Sequence, residues 1–324
     1  MNITDLIQGT VASRTTRFAF ELLPTRFSFE LLPPLKGDGT RSVFTTIEAL
    51  REFDPAFINV TFHREALKED VRPDGSREWH IMRRRPGTVG ISAAIRRKYD
   101  VEVVPHLICG GWSKYDIEDS LIDMDFLGLH NVLALRGDKR QNEPRFVPYA
   151  HAADLVRQIQ AMNRGEFIDG EVEECHHSKF SVGVAGYPEK HFEAANAQSD
   201  LQYLKEKVDA GADYIVTQMF FDNSKYFDFV ERCRKAGITV PIIPGIKPIS
   251  TPKHLEILPR TFSVSLPEEL VKAVRACGED TQAAREVGIE WAIHQAKELK
   301  AAGVPIIHFY TMGRTDNIRK IACN

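Results

Sequence analysis

"SDLQYLKEKVDAGADYIVTQMFFD", residues 199–222, carries the pattern on which the fold turns. Ser199 stands as an N-cap, Leu201, Leu204 and Val208 recur at helical spacing, and Gly211 stops the helix. A β-branched and aromatic run, 214–220, follows at once. The same order of helix, glycine and strand returns in "NSKYFDFVERCRKAGITVPII" (223–243), with Gly237, and in "EWAIHQAKELKAAGVPII" (290–307), with Gly303. Such repetition is the grammar of βαβ units.

Working outward, eight runs read as strands: 26–31, 57–62, 101–107, 131–136, 180–186, 214–220, 240–246 and 305–311. Their near-continuous apolar character predicts a parallel sheet covered on both faces. Eight units in 324 residues predict an α/β protein of the (β/α)8 TIM-barrel type. No Gly-x-Gly-x-x-Gly opens a helix, which argues against a doubly wound dinucleotide fold. The barrel domain is assigned to 26–324, with residues 1–25 as an N-terminal extension. A polar, acidic insertion is expected on the surface at about 163–178, and a helical elaboration at 259–288.

Composition sets bounds on function. Hydrophobic residues make up 43% and charged residues 27%, with a net charge of −3, so nucleic acid and anionic membranes are not expected partners. The first residues lack a signal-peptide core, and no run approaches membrane-spanning length. The five cysteines form no Cys-x-x-Cys pair, which fits a cytoplasmic protein without a disulfide framework. "ECHHS" (174–178) lacks a second ligand pair at metal spacing, so it reads as a surface loop and no metal is expected.

Chemistry in a barrel gathers at the C-terminal ends of the strands. The polar residues there are Glu30, Thr61, His63, His106, Arg136, Asp138, Tyr187, Gln218, Lys247, Tyr310 and Arg314. Any one of them could be an ordinary strand end, but together they converge on one rim. A glutamate between apolar walls can stay protonated and donate a proton. Gln218 is an amide suited either to a buried network or to reading a flat heterocycle. Lys247 leaves room for a Schiff-base lyase.

The chain also repeats itself: "TRFAFELLPTRFSFELLPP" (16–34) holds two copies of one strand, ending in Glu21 and Glu30. Placing strand one at the second copy gives an ordinary βα loop before the helix near Arg41. Placing it at the first gives a loop that is long for a compact barrel. Glu30 is therefore assigned the chemistry.

Six stretches carry a family resemblance: "FSFELLPP", "ALRGD", "VAGYPEKH", "DLQYLKEKVDAGADYIVTQMFFD", "PIIPGIKPI" and "HFYTMGR". In this order they resemble the methylenetetrahydrofolate reductases, in the short bacterial form without a regulatory domain. The resemblance implies FAD held non-covalently in a barrel, with NADH or NADPH giving hydride to it and leaving. It further implies reduction of 5,10-methylenetetrahydrofolate to 5-methyltetrahydrofolate at the same face, and a homo-oligomer. By motif, Glu30 resembles the general acid and Asp138 the carboxylate beside the isoalloxazine. Gln218 is similar to the amide that meets pterin and nicotinamide, and Arg314 to the cation that meets folate. For FAD the resemblance points to Thr61, His106, Arg136, Gly137, Asp138, Tyr187, His191, Asp200 and Lys207. It adds His151 with Ala152, for which Tyr149–Ala150 is the alternative register. Leu31 and Leu32 depart from the aromatic residues frequent after the glutamate, a change in packing. The rival readings are the Lys247 lyase and a non-catalytic folate- or flavin-binding protein.

Overall fold

The computed structural model describes residues 1–8, 25–138, 149–171, 177–311 and 315–323. Eight parallel strands close into a barrel: β1 (Arg26–Leu31), β2 (Phe57–Val60), β5 (Val103–Ile108), β6 (Asn131–Leu135), β9 (Ser181–Gly186), β10 (Tyr214–Met219), β11 (Ile242–Ile246) and β12 (Ile306–Tyr310). These are the eight runs expected from sequence, and the TIM-barrel class holds. Both edges of β1 are paired, to β2 and to β12. The copy of the duplicated segment that supplies the sheet is thus the second one, ending in Glu30. Glu21 lies outside the described residues.

Helices cover the outside of the strands: α2 (Thr40–Leu50), α3 (Thr88–Tyr99), α4 (Lys114–Phe126), α5 (Ala152–Asn163), α6 (Ala197–Asp209) and α7 (Asn223–Lys235). Three more, α8 (His254–Phe262), α9 (Glu268–Ala276) and α10 (Thr281–Ala301), connect β11 to β12, and α11 (Thr315–Ala322) follows. The glycine stops behave as expected: Gly211, Gly237 and Gly303 have φ of 111°, 77° and 78°. The cap of α6 differs from expectation. Asn196, not Ser199, is the N-cap, because its side-chain oxygen accepts the Ser199 N–H at 2.8 Å and starts the helix earlier.

Among the described residues, two antiparallel hairpins interrupt the repeat. One, β7 (Glu166–Phe167) with β8 (Gly170–Glu171), lies in the polar insertion. The other, β3 (Ala66–Val71) with β4 (Arg77–Met82), was not expected from hydrophobic patterning. Lys68, Trp79 and His80 lie on its exposed surface, so it carries no apolar run to betray it. The Asp74–Gly75 pair at its tip was the available signal. No helix among the described residues is long and apolar enough to cross a membrane.

Inside the barrel, the lower layer is apolar. Phe57, Val104, Leu133, Tyr214, Val216, Ile243 and Ile306 pack together there. Helical residues 3–8 (α1) close the floor, adding Ile3 and Ile7 to that cluster. The Ile3 N–H donates to Asn131 Oδ1 at 3.0 Å and ties the floor to β6. Tyr214 fills the barrel so fully that a Cβ on Gly183 of β9 would lie 2.4 Å from its ring. Gly183→Ala is therefore expected to destabilise the protein by about 1–3 kcal/mol. The check is a urea titration in which the midpoint falls while the m-value stays constant.

Candidate active site

Above this floor the inward-facing side chains turn polar. Ser28 Oγ lies 2.9 Å from His308 Nδ1, and the Asn59 amide nitrogen lies 3.2 Å from His106 Nε2. Burial pushes both imidazoles down to about 3, so each is neutral at physiological pH. His106 can therefore accept a hydrogen bond from the Asn59 amide. Phe57 stacks on His308 at 6.4 Å between ring centres, joining the polar layer to the apolar one.

The mouth over this layer is a cavity of about 790 Å³. Glu30, Thr61, His106, Asp138, Tyr187, Gln218 and Lys247 all line it. The Glu30 carboxyl is pushed up to about 7 by burial, and the Lys247 charge opposes that effect only in part. Acid and carboxylate forms consequently coexist near neutrality. Thr311 Oγ1 donates to the Glu30 backbone carbonyl at 2.8 Å, which fixes the strand end. Thr61 Oγ1 lies 3.0 Å from His63 Nε2 at the rim. Gln218 sits where the β10–β11 register shifts, and its Oε1 accepts the Met219 N–H at 3.0 Å.

A second cavity of about 660 Å³ opens beside the mouth, over β6 and β9. Arg136, Gly137, His151, Ala152, His191, Asp200 and Lys207 line it, and Asp138 and Tyr187 are shared between the two cavities. Arg136 pairs with Glu193 and donates from Nε to the Gly137 carbonyl at 3.3 Å. Gly137 has φ of 82°, the left-handed turn that a residue with a side chain resists. A Cβ there would also meet Ile108 at 3.2 Å. Lys207 donates to the Ala185 carbonyl, and burial lowers its ammonium to about 8. The Asp200 carboxylate accepts the His191 N–H at 3.1 Å, and His191 packs edge-on against Tyr187 at 4.6 Å. Burial raises the Tyr187 phenol above its usual range.

Every described candidate from the sequence thus falls in one of two adjoining cavities. Of the two registers near residue 150, His151–Ala152 line the cavity, whereas Tyr149 packs against the hydrophobic core. Arg314 lies outside the described residues. Tyr203 stacks on His151 with ring centres 6.2 Å apart and also lines the second cavity. Sequence reasoning overlooked Asn59, His308 and Arg64. Asn59 and His308 sit two residues from other inward positions, so the period-two alternation could have found them. Arg64 Nη1 donates to the Asp138 carbonyl at 3.4 Å, across more than seventy residues of sequence, and no local pattern foretells that.

A profile described as methylenetetrahydrofolate reductase matches residues 20–324. The chain belongs to the methylenetetrahydrofolate reductase family. It is 33% identical over 325 residues to "Methylenetetrahydrofolate reductase (NADH) 1" of Arabidopsis thaliana, covering 96% of this chain and 48% of that protein. To the 5,10-methylenetetrahydrofolate reductase of Pectobacterium carotovorum it is 32% identical, covering 87% of this chain and 84% of the other. The chain thus spans about half the length of its plant relatives and most of the bacterial one. Among solved structures, an uncharacterized Clostridium thermocellum protein that binds two copies of 5-methyl-5,6,7,8-tetrahydrofolic acid superposes with a TM-score of 0.56. That match covers 98% of this chain and 96% of the other at 13% identity, a likeness of fold alone.

The buried carboxyl has a measurable consequence for this reductase-family chain. Glu30 binds its proton more tightly folded than unfolded, so its contribution to stability declines as pH rises from 4.5 to about 7. Glu30→Gln removes that decline. Urea unfolding at about pH 5 and about pH 8 should show the variant gaining on the order of 2 kcal/mol over the native chain at the higher pH.

Proposed function

We propose that the protein reduces 5,10-methylenetetrahydrofolate to 5-methyltetrahydrofolate with NADH or NADPH, using FAD. The observation that carries this reading is the protonatable Glu30 carboxyl in a mouth that also holds Asp138 and Gln218, in a chain of the reductase family. The residues suit a flavin dinucleotide. The Gly137 turn, with φ of 82°, puts backbone into the wall of the second cavity, where a flat ring could approach it. Arg136 and Lys207 bring cations into the second cavity, fitting a pyrophosphate, and the Asp200 carboxylate fits ribose hydroxyls. Thr61, His106, Tyr187, His191, His151 and Ala152 complete the surfaces that would hold the cofactor.

When bound, FAD supplies a relay that takes hydride from the nicotinamide and passes it to the folate. Glu30 in its acid form donates a proton to the folate ring nitrogen as the five-membered ring opens to the iminium that accepts hydride. A carboxyl tuned to about 7 suits that task at neutral pH, and the reaction should slow as pH rises through that value. Asp138 would hold a carboxylate beside the flavin ring, a charge that would favour giving up hydride over retaining it. Gln218 offers a donor and an acceptor to the edge of the pterin and, in the other half-reaction, to the nicotinamide carboxamide. His106 and His308, held neutral, add no competing positive charge to the mouth. A homo-oligomer, the cytoplasmic setting and the role of Arg314 toward the folate belong to the same proposal.

An anaerobic visible spectrum tests it directly. The protein should be yellow, bleach with NADH or NADPH, and recolour on adding 5,10-methylenetetrahydrofolate. Glu30→Gln should bleach normally and recolour about 100- to 10,000-fold more slowly. Glu21→Gln should behave like the native chain. Bleaching without recolouring in the native protein would rule out the folate as acceptor, and equal loss from both glutamate variants would overturn the Glu30 role.

A further inference from the structure

The polar groups of the mouth are mechanically linked. Tyr310 ends β12, and its side chain crosses β11 to reach β10, the second strand along in the sheet. Its phenolic hydroxyl donates to the Thr217 carbonyl at 2.7 Å. The crossing needs an empty position on β11, and Gly245 supplies it. A Cβ there would lie 2.4 Å from the Thr217 carbonyl oxygen and 2.6 Å from the Tyr310 ring. Gly245 is not one of the positive-φ glycines, so the position demands space and not backbone freedom.

The contact falls where the sheet is irregular. Between Val216 and Met219 the β10–β11 register shifts. Thr217 Oγ1 accepts the Gly245 N–H at 2.9 Å, and the Thr217 carbonyl is taken by Tyr310. One side chain from β10 and one from β12 thus take part in hydrogen bonding at the break. Gln218 is the next residue, and it faces the mouth. A break in register is a place where a strand can re-aim a side chain, and an unheld break can aim it in more than one direction. On its other edge Tyr310 is the register partner of Glu30.

We propose that Tyr310 is a positioning residue: by holding the Thr217 carbonyl at the strand break, its hydroxyl fixes the direction in which Gln218 presents its amide to substrate. The proposal rests on the reading of Gln218 as the substrate-facing amide. Without the hydroxyl, a buried carbonyl loses its donor, and the break relaxes towards whatever arrangement satisfies it. Glu30 keeps its own support from Thr311, so the proton donor stays in place.

The test is a double-mutant cycle on the holoenzyme, with Tyr310→Phe, Gln218→Ala and the pair, assayed with 5,10-methylenetetrahydrofolate. Tyr310→Phe should lower kcat/KM about tenfold, mostly through KM, with the pH dependence of kcat unmoved. In the Gln218→Ala background the same change should cost less than about twofold. Gly245→Ala, which presses the ring away while keeping the hydroxyl, should reproduce the Tyr310→Phe loss. A tenfold cost in both backgrounds, or a displaced pH profile, would overturn the positioning role and point to direct action on substrate or on Glu30. If Gln218→Ala alone leaves kcat/KM unchanged, the substrate role of Gln218 is what fails.

Discussion

Closing eight parallel strands into a barrel forces every second side chain into a space whose only exits are its two ends. Here one end is sealed. Ile3 and Ile7 of α1 join the apolar floor, so water reaches the interior from the C-terminal mouth. One cause then moves several groups in opposite directions. Burial disfavours whichever form is charged, so it raises the Glu30 carboxyl and lowers His106 and His308. Near neutrality the mouth accordingly holds uncharged imidazoles and a carboxyl able to lend a proton. Lys247 limits how far the acid rises without cancelling the effect of burial.

The fold was legible because its signals are local. Helix periodicity, a glycine stop and a β-branched run lie within some twenty residues, and each repeat announces itself separately. The candidate site was legible for a related reason. A barrel delivers strand ends to one rim, so listing the polar residue after each apolar run amounts to listing the mouth. Glu30, Thr61, His106, Asp138, Tyr187 and Gln218 all meet there. The β3–β4 hairpin escaped because its sequence shows no continuous apolar run, and Lys68, Val71, Trp79 and His80 are exposed. Arg64 escaped because its contact with the Asp138 carbonyl exists only after β2 and β6 have been placed in the barrel. The early start of α6 escaped because Asn196 and Ser199 are equally good capping residues, and only the backbone path chooses between them.

The pairing around Glu30 shows how topology decides between near-identical sequences. The two copies of the duplicated segment differ at Ala19 and Ser28 within the repeated nine residues. Ser28 faces into the barrel and meets His308 at 2.9 Å. Alanine at that point would leave the imidazole nitrogen without this partner, a cost for a buried polar atom. The copy that forms β1 is therefore the one whose serine answers the histidine of β12. Glu30, two residues further on the same inward face, reaches the mouth as a consequence of that same register.

Precision at the mouth comes from ties between strands that are not neighbours. Glu30, Asp138 and Gln218 sit at the ends of strands dispersed around the barrel, and backbone ladders join only adjacent strands. Tyr310 reaches over Gly245 to Thr217, and Arg64 reaches from the end of β2 to Asp138 beyond β6. Each tie spans one intervening strand, and glycines lie along its path: Gly245 under the tyrosine ring, Gly110 and Gly111 against the Arg64 guanidinium. Gly245 and Gly110, which have no unusual φ, each leave room for a long polar side chain from the strand beside them, while Gly111 also turns the backbone with φ of 80°. In this barrel the empty Cβ positions are where the geometry of the mouth is set.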